Sequence, residues 1–181
     1  MYGFLPSVQK KYTSWFSFFV KILHEKLFLT PNQISIVAFF LSLFSALFII
    51  RENLVISFIF LFFSLFLDAL DGTVARKYKL ESPMGKKLEI IFDRSAELIL
   101  FLSLWLVGYV DLYLIIIAFL SIALMTFLCF FTAVDFGGKR IMIFLGPLVS
   151  FSVAFFLIII VQFLSIIISL FKIVNKNVIR N

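Results

Sequence analysis

The sequence predicts an all-α integral membrane protein, with six transmembrane helices preceded by an interfacial amphipathic helix. Three observations carry that prediction. Of the 181 residues, 63% are apolar and 14% are charged, with a mean hydropathy of +1.16. A soluble domain is nearer half apolar and about a quarter charged. The apolar residues fall in long runs parted by short polar breaks, and the basic residues gather in those breaks, as membrane topology requires.

The elements follow in chain order. Residues 8–27 place Tyr12, Trp15, Phe16, Phe19, Ile22 and Leu23 at helical spacing, with Lys10, Lys11, Lys21, Glu25 and Lys26 elsewhere. That pattern suits a helix lying in the headgroup region, anchored by Trp15 and the lysines. The single histidine, His24, sits among those charges, which argues against histidine-based catalysis. The single cysteine, Cys129, lies in an apolar run, so there is no disulfide framework and no cysteine-based metal site. Met1 to Lys11 lack the early apolar stretch of a cleavable signal peptide, and the chain is expected to be retained whole. Thr30-Pro31-Asn32 then breaks the first helix, with proline placed where a new helix starts.

Apolar runs cover Ile34–Ile50, Leu54–Ala75, Gly85–Val107, Leu112–Val134 and Ile141–Phe171. The last would be about 46 Å as one helix, too long for an untilted span and short for two. Charge decides between them. Two short spans turning near Ala154–Ile160 put fifteen of the sixteen lysines and arginines on one side, which the positive-inside rule makes the cytoplasm. Gly146-Pro147 is expected to kink the fifth helix. The expectation is one domain over 1–181, with its bundle at 34–171 and both termini cytoplasmic in a cell membrane. No internal repeat or long linker divides it.

The chemistry lies between Asp68 and Asp93, where the carboxylates of Asp68, Asp71, Glu89 and Asp93, two glycines and an arginine fall within 26 residues. Carboxylates held in or near hydrocarbon are costly and default to a functional reading. Ser82-Pro83 is an N-cap followed by proline at the first helical position, so a short turn joins two antiparallel helices. Counting from that turn at ~1.5 Å per residue puts Asp71 level with Glu89, and Asp68 with Asp93. Each helix contributes its two acids on one face, so one compact four-carboxylate pocket is expected. Such all-oxygen ligands suit Mg²⁺, Mn²⁺ or Ca²⁺ and not zinc. Gly72 and Ala75 leave room for a ligand to approach the helix, and Arg76 offers a forked donor to phosphate. Ordinary ion pairing with Lys86, Lys87 and Arg94 is the plainer alternative for any one of the acids.

Asp68-x2-Asp71-Gly72-x2-Ala75-Arg76-x8-Gly85-x3-Glu89-x3-Asp93 resembles the signature of the CDP-alcohol phosphatidyltransferase family, which has aspartate where this chain has Glu89. Thr30-Pro31-Asn32 is similar to the motif that opens the first span in that family. The resemblance implies six spans, an interfacial N-terminal helix, and attack of a hydroxyl on the β-phosphorus of a CDP-linked alcohol, releasing CMP. It implies that Asp68, Asp71, Glu89 and Asp93 hold two divalent ions, Mg²⁺ or Mn²⁺, with Asp93 also the general base. Gly72, Arg76 and Ser82 would meet the CDP portion, with Pro31 and Asn32 walling the nucleotide site. Glu89 lengthens one arm by about 1.5 Å, which bears on the second metal because Mg²⁺ is strict about geometry.

Small members of this family mostly join a CDP-linked lipid to a polar acceptor, so the implied donor is CDP-diacylglycerol or CDP-archaeol and the acceptor a polyol phosphate. Lys139 and Arg140, at the cytoplasmic entrance of the fifth span, are candidate acceptor ligands together with Lys86 and Lys87; Lys139 and Arg140 are equally read as a basic cytoplasmic loop. The region Cys129-Phe-Phe-Thr132-Ala-Val-Asp135 lacks the arginines that inositol-phosphate-using relatives carry there. The expected partners are these two substrates, membrane lipid and a second copy of the chain as a homodimer, and no nucleic acid. Two alternatives are an inactive relative and an ion- or proton-coupled carrier using the intramembrane acids. The carrier reading leaves Gly72, Ala75, Arg76 and Gly85 unexplained.

Overall fold

The computed structural model describes residues 18–132 and 139–178. Among them every regular element is helical. Five are long: α1 (Pro31–Ile50), α2 (Leu54–Lys77), α3 (Pro83–Leu106), α4 (Leu112–Thr132) and α5 (Phe151–Val178). Between α4 and α5 lies a broken segment of two single-turn α-helices, Lys139–Met142 and Gly146–Val149, joined by a 3₁₀ turn at Ile143–Leu145. α1, α2, α4 and α5 are long and apolar enough to cross a membrane. α3 is as long as α2 but carries Lys86, Lys87, Glu89, Asp93 and Arg94 in its first half and Glu97 just beyond it. Large apolar side chains such as Phe40, Phe62, Ile116, Phe163 and Phe171 are exposed along the spanning helices, as lipid contact allows. This is an integral membrane protein.

The helices start and stop where local chemistry sets them. Thr30 and Gln33 form a reciprocal cap at the start of α1: the Thr30 N–H donates to Gln33 Oε1 at 2.9 Å and the Gln33 N–H to Thr30 Oγ1 at 3.4 Å. Ser82 Oγ accepts the Gly85 N–H at 2.9 Å and caps α3, with Pro83 as its first residue. α1 and α2 both end through a residue in the left-handed region, Glu52 at φ 57° and Lys79 at φ 56°. The next amide reaches back to close the last turn, Asn53 to Phe48 O at 2.9 Å and Leu80 to Ala75 O at 2.9 Å.

Contacts divide the described residues into two compact units. The first takes in residues up to 45 and Leu54–Ala96. Here α1 and α2 are antiparallel and joined by serines: Ser45 Oγ meets Ser57 Oγ at 2.9 Å and Ser42 Oγ meets Ser64 Oγ at 2.6 Å. Ser64 Oγ lies a further 2.8 Å from the Ala38 carbonyl. With no hydrophobic drive between helices in lipid, small residues and hydrogen bonds supply the cohesion, each bond contributing about 0.6 kcal/mol on average. The N-terminal segment ends in a π-helical turn, Ile22–Lys26. Its Val20 is buried with Ile34, Leu70 and Val74, and Phe19 packs edge-on to Phe66 at 5.2 Å. The expected interfacial helix over 8–27 is therefore described only from residue 18, and its earlier part lies outside the described residues.

The second unit holds Ala46–Asn53 and the described residues from 97 onward. Tyr109, just ahead of α4, stacks on Phe151 at the start of α5 with ring centroids 5.0 Å apart. Near the other ends, Thr132 Oγ1 lies 3.3 Å from Ser169 Oγ. α4 and α5 thus run parallel, and the chain between them must come back over the same distance, about 27 Å for the helix from Phe151 to Ser169.

One expectation is corrected here. Ile141–Phe171 does not turn near Ala154–Ile160, because α5 is continuous from Phe151. The reversal is at Ser150, whose φ is 139°. The cause is close packing: a Cβ added at Gly146 would lie 2.2 Å from the Phe151 ring, so this glycine alone lets the ring fold back onto the preceding turn. Ser150 then starts α5, its Oγ accepting the Val153 N–H at 3.3 Å.

Candidate functional site

The first unit carries a cavity of about 100 Å³, built where three helix ends meet. The first turn of α1 supplies Pro31, Asn32 and Ser35, placed there by the Thr30 cap. The last turns of α2 supply Asp71, Gly72, Ala75 and Arg76. Leu80, Glu81 and Ser82 come from the connection, and Gly85, Lys86 and Glu89 from the start of α3.

Asp71 is 3% exposed. Its Oδ2 accepts a hydrogen bond from Ser35 Oγ at 2.5 Å, at the short end of the range for a hydroxyl on a carboxylate. Oδ1 is buried and unpartnered, and the Gly72 backbone N–H is the other donor near the carboxylate. The negative charges of Asp71, Glu89 and Asp93 act on one another, and Arg76 and Lys86 offset them at Glu89.

Both glycines of the motif have a steric reason. A Cβ on Gly72 would sit 3.3 Å from a terminal nitrogen of Arg76, so its absence lets the guanidinium fold back over the helix. A Cβ on Gly85 would lie 3.0 Å from Ser82 Oγ and 3.2 Å from Asn32 Oδ1, so α1 and α3 approach closely there.

The N-terminal segment supports the α2 end of the cavity. Tyr78, two residues past Arg76, donates its hydroxyl to Glu25 Oε1 at 2.7 Å, which pushes its phenol above the ordinary range. The His24 ring lies 4.1 Å from the Tyr78 ring, and its Nδ1 is 3.0 Å from the Leu29 carbonyl. His24 is a packed structural residue.

The candidates read from sequence separate into three groups. Pro31, Asn32, Gly72, Arg76 and Ser82 all line the cavity, and so do Asp71 and Glu89 of the four acids. Asp68 and Asp93 are half-buried and do not line it. Lys139 and Arg140 belong to the second unit, 4% and 6% exposed at the first turn of the broken segment. Among the described residues no three acidic, histidine or cysteine side chains gather closely enough to hold one metal ion. The expected four-acid pocket is therefore not a closed ligand shell. The chemistry of the donors still fits a hard divalent cation: they are all oxygen, and one buried carboxylate oxygen of Asp71 lacks a partner.

Sequence reasoning missed Ser35, Leu80 and Glu81. Ser35 had a signal, since it falls three and four residues after Asn32 and Pro31 and so shares their helix face.

The sequence model of one family, described as CDP-alcohol phosphatidyltransferase, matches residues 28–176. A comparison with curated protein sequences gives no significant match. Two solved structures of phosphatidylinositol phosphate synthase from Mycobacterium tuberculosis are similar in fold. The one in complex with manganese and citrate is 18% identical, with a TM-score of 0.65, covering 81% of this chain and 83% of that one. The apo form is 19% identical, with a TM-score of 0.66, covering 83% of this chain and 92% of that one.

Proposed function

Because the chain belongs to the CDP-alcohol phosphatidyltransferase family, we propose that it transfers a phosphatidyl-type group from a CDP-linked lipid to a polar alcohol. The donor is CDP-diacylglycerol or CDP-archaeol and the acceptor a polyol phosphate. One observation carries this reading above the others: every side chain assigned to the CDP portion lines one cavity together with two of the motif's acids. In the reaction, the acceptor hydroxyl oxygen bonds to the lipid-bearing phosphorus. The bond from that phosphorus to the oxygen bridging to CMP breaks, and CMP leaves with the electron pair.

Each residue has a part in this. Arg76, folded over Gly72, offers its forked donors to the diphosphate, and Lys86 adds a second cation on the other wall. Pro31, Asn32 and Ser82 bound the nucleotide. Asp93 takes the proton of the attacking hydroxyl, the role its motif position gives it. Asp68, Asp71, Glu89 and Asp93 would hold Mg²⁺ or Mn²⁺, two ions in all, and manganese accompanies one of the similar structures. A divalent ion bound there supplies charge neutralisation for the diphosphate and a template for in-line displacement. Lys139 and Arg140 are assigned to the acceptor phosphate.

The membrane arrangement that accompanies this reading has six crossings. The parallel run of α4 and α5 supports a fifth crossing made by the broken segment. The distribution of basic residues supports a cytoplasmic cavity.

The test is transfer by the purified protein in lipid nanodiscs. CDP-diacylglycerol and CDP-archaeol are each offered with glycerol phosphate, inositol phosphate and serine. One pairing is expected to yield CMP and a new phosphodiester in equal amounts, with Asp93→Asn slower by about 10²–10⁴-fold. Full activity in Asp93→Asn removes the general-base assignment. No CMP from wild type with any pairing and either metal removes the transferase reading and favours an inactive relative.

A further inference from the structure

We infer that Ser35 is a positioning residue for divalent-cation binding: it ties one oxygen of Asp71 to α1 so that the other is presented unpartnered to the cavity. The inference rests on the transferase reading for its purpose, but its geometry is independent of the substrates.

Ser35 Oγ lies 2.5 Å from Asp71 Oδ2 and 3.1 Å from the Pro31 carbonyl. A serine hydroxyl has one proton to give. The Pro31 carbonyl is the regular helical acceptor for the Ser35 N–H, one turn along α1, so it does not depend on the hydroxyl. Asp71 Oδ2 is a carboxylate oxygen, and a bond to an ionised carboxylate is about twice as strong as one between neutral groups. The proton therefore goes to Asp71.

The consequence is orientational. A carboxylate turns about its last torsion in a broad, two-fold well, so its two oxygens are interchangeable unless something distinguishes them. Ser35 distinguishes them here. It holds Oδ2, leaving Oδ1 buried, without a hydrogen bond, in a residue that lines the cavity. The hydroxyl is itself carried on the turn fixed by the Thr30–Gln33 cap, so the register of α1 determines the aim of Asp71. A hydrogen-bonded partner behind a ligating carboxylate is the kind of outer-shell contact whose loss weakens metal binding.

The experiment titrates Mn²⁺ into the full-length protein in nanodiscs and follows the free-ion signal by electron paramagnetic resonance, without substrate. Wild type, Ser35→Ala and Ser35→Thr are compared, and thermal unfolding checks that each is folded. Ser35→Ala is expected to raise the Mn²⁺ Kd by about tenfold or more, while Ser35→Thr, which keeps the hydroxyl, stays near wild type. In the CMP-release assay the Mn²⁺ concentration for half-maximal rate shifts in parallel. Wild-type Mn²⁺ affinity in Ser35→Ala overturns the inference, and so does a loss in Ser35→Thr equal to that in Ser35→Ala. Absence of CMP release from wild type alongside the expected Mn²⁺ shifts strikes the transferase reading alone.

Discussion

The two ends of the α1–α2 hairpin use the same device for different purposes. Toward the connecting turn, Ser42 and Ser45 of α1 meet Ser64 and Ser57 of α2, neutral hydroxyl to neutral hydroxyl, fully buried. At the open end, Ser35 of α1 meets Asp71 of α2 in the same cross-helix geometry, but the partner is a carboxylate with one oxygen left over. The first arrangement satisfies every group it buries and acts as glue. The second holds a charged group in a buried position with half its hydrogen-bonding capacity open. That is unfavourable for stability and useful for binding a cation. Within one hairpin, the difference between structure and function lies in what each serine faces.

Substitutions can break or sharpen that comparison. The largest effect belongs to Asp71→Asn. It is expected to lower CMP release by at least about 100-fold while leaving thermal stability unchanged or raised, because a buried charge is removed. Loss of stability in step with activity contradicts the contrast between the two ends. Next, Arg76→Lys keeps the charge and loses the fork, and a loss of about tenfold in kcat/KM for the CDP-lipid is expected, equivalent to ~1.4 kcal/mol. Wild-type kinetics there would show that a point charge suffices.

Gly85→Ala places a methyl 3.0 Å from Ser82 Oγ and 3.2 Å from Asn32 Oδ1. Both neighbours are side-chain atoms able to give by a few tenths of an ångström. A several-fold rise in KM with little change in melting temperature is the expected result. The smallest effect is at the glue end: Ser64→Ala is expected to cost ~0.6 kcal/mol of stability, at most ~1.7, with CMP release at the wild-type rate. A catalytic defect in that variant would erase the distinction.

The sequence was informative where charge or backbone chemistry punctuates an apolar chain. Thr30-Pro31 and Ser82-Pro83 marked the starts of α1 and α3 because caps and first-turn prolines act locally. The spacing of Asp71, Gly72, Arg76 and Glu89 was enough to bring them to one cavity, since a helix's repeat fixes which residues share a face. The break at Ser150 was hidden because Ile141–Phe171 has no charge anywhere and lipid-facing and core-facing residues are equally apolar. What decides it is the fit of the Phe151 ring against Gly146, a contact that composition does not register. Ser35 escaped for a related reason. Reading for charges finds the acids and passes over the neutral hydroxyl that orients one of them.

The most direct test of the central claim is to measure CMP release from CDP-diacylglycerol and CDP-archaeol by wild type, Asp71→Asn and Ser64→Ala side by side. Each protein is assayed in the same nanodiscs, with Mn²⁺ and the panel of polar acceptors. The account predicts acceptor-dependent CMP release from wild type and Ser64→Ala, and almost none from Asp71→Asn, with all three folded. Equal release from wild type and Asp71→Asn would place the chemistry elsewhere and contradict the assignment of this cavity as the active site.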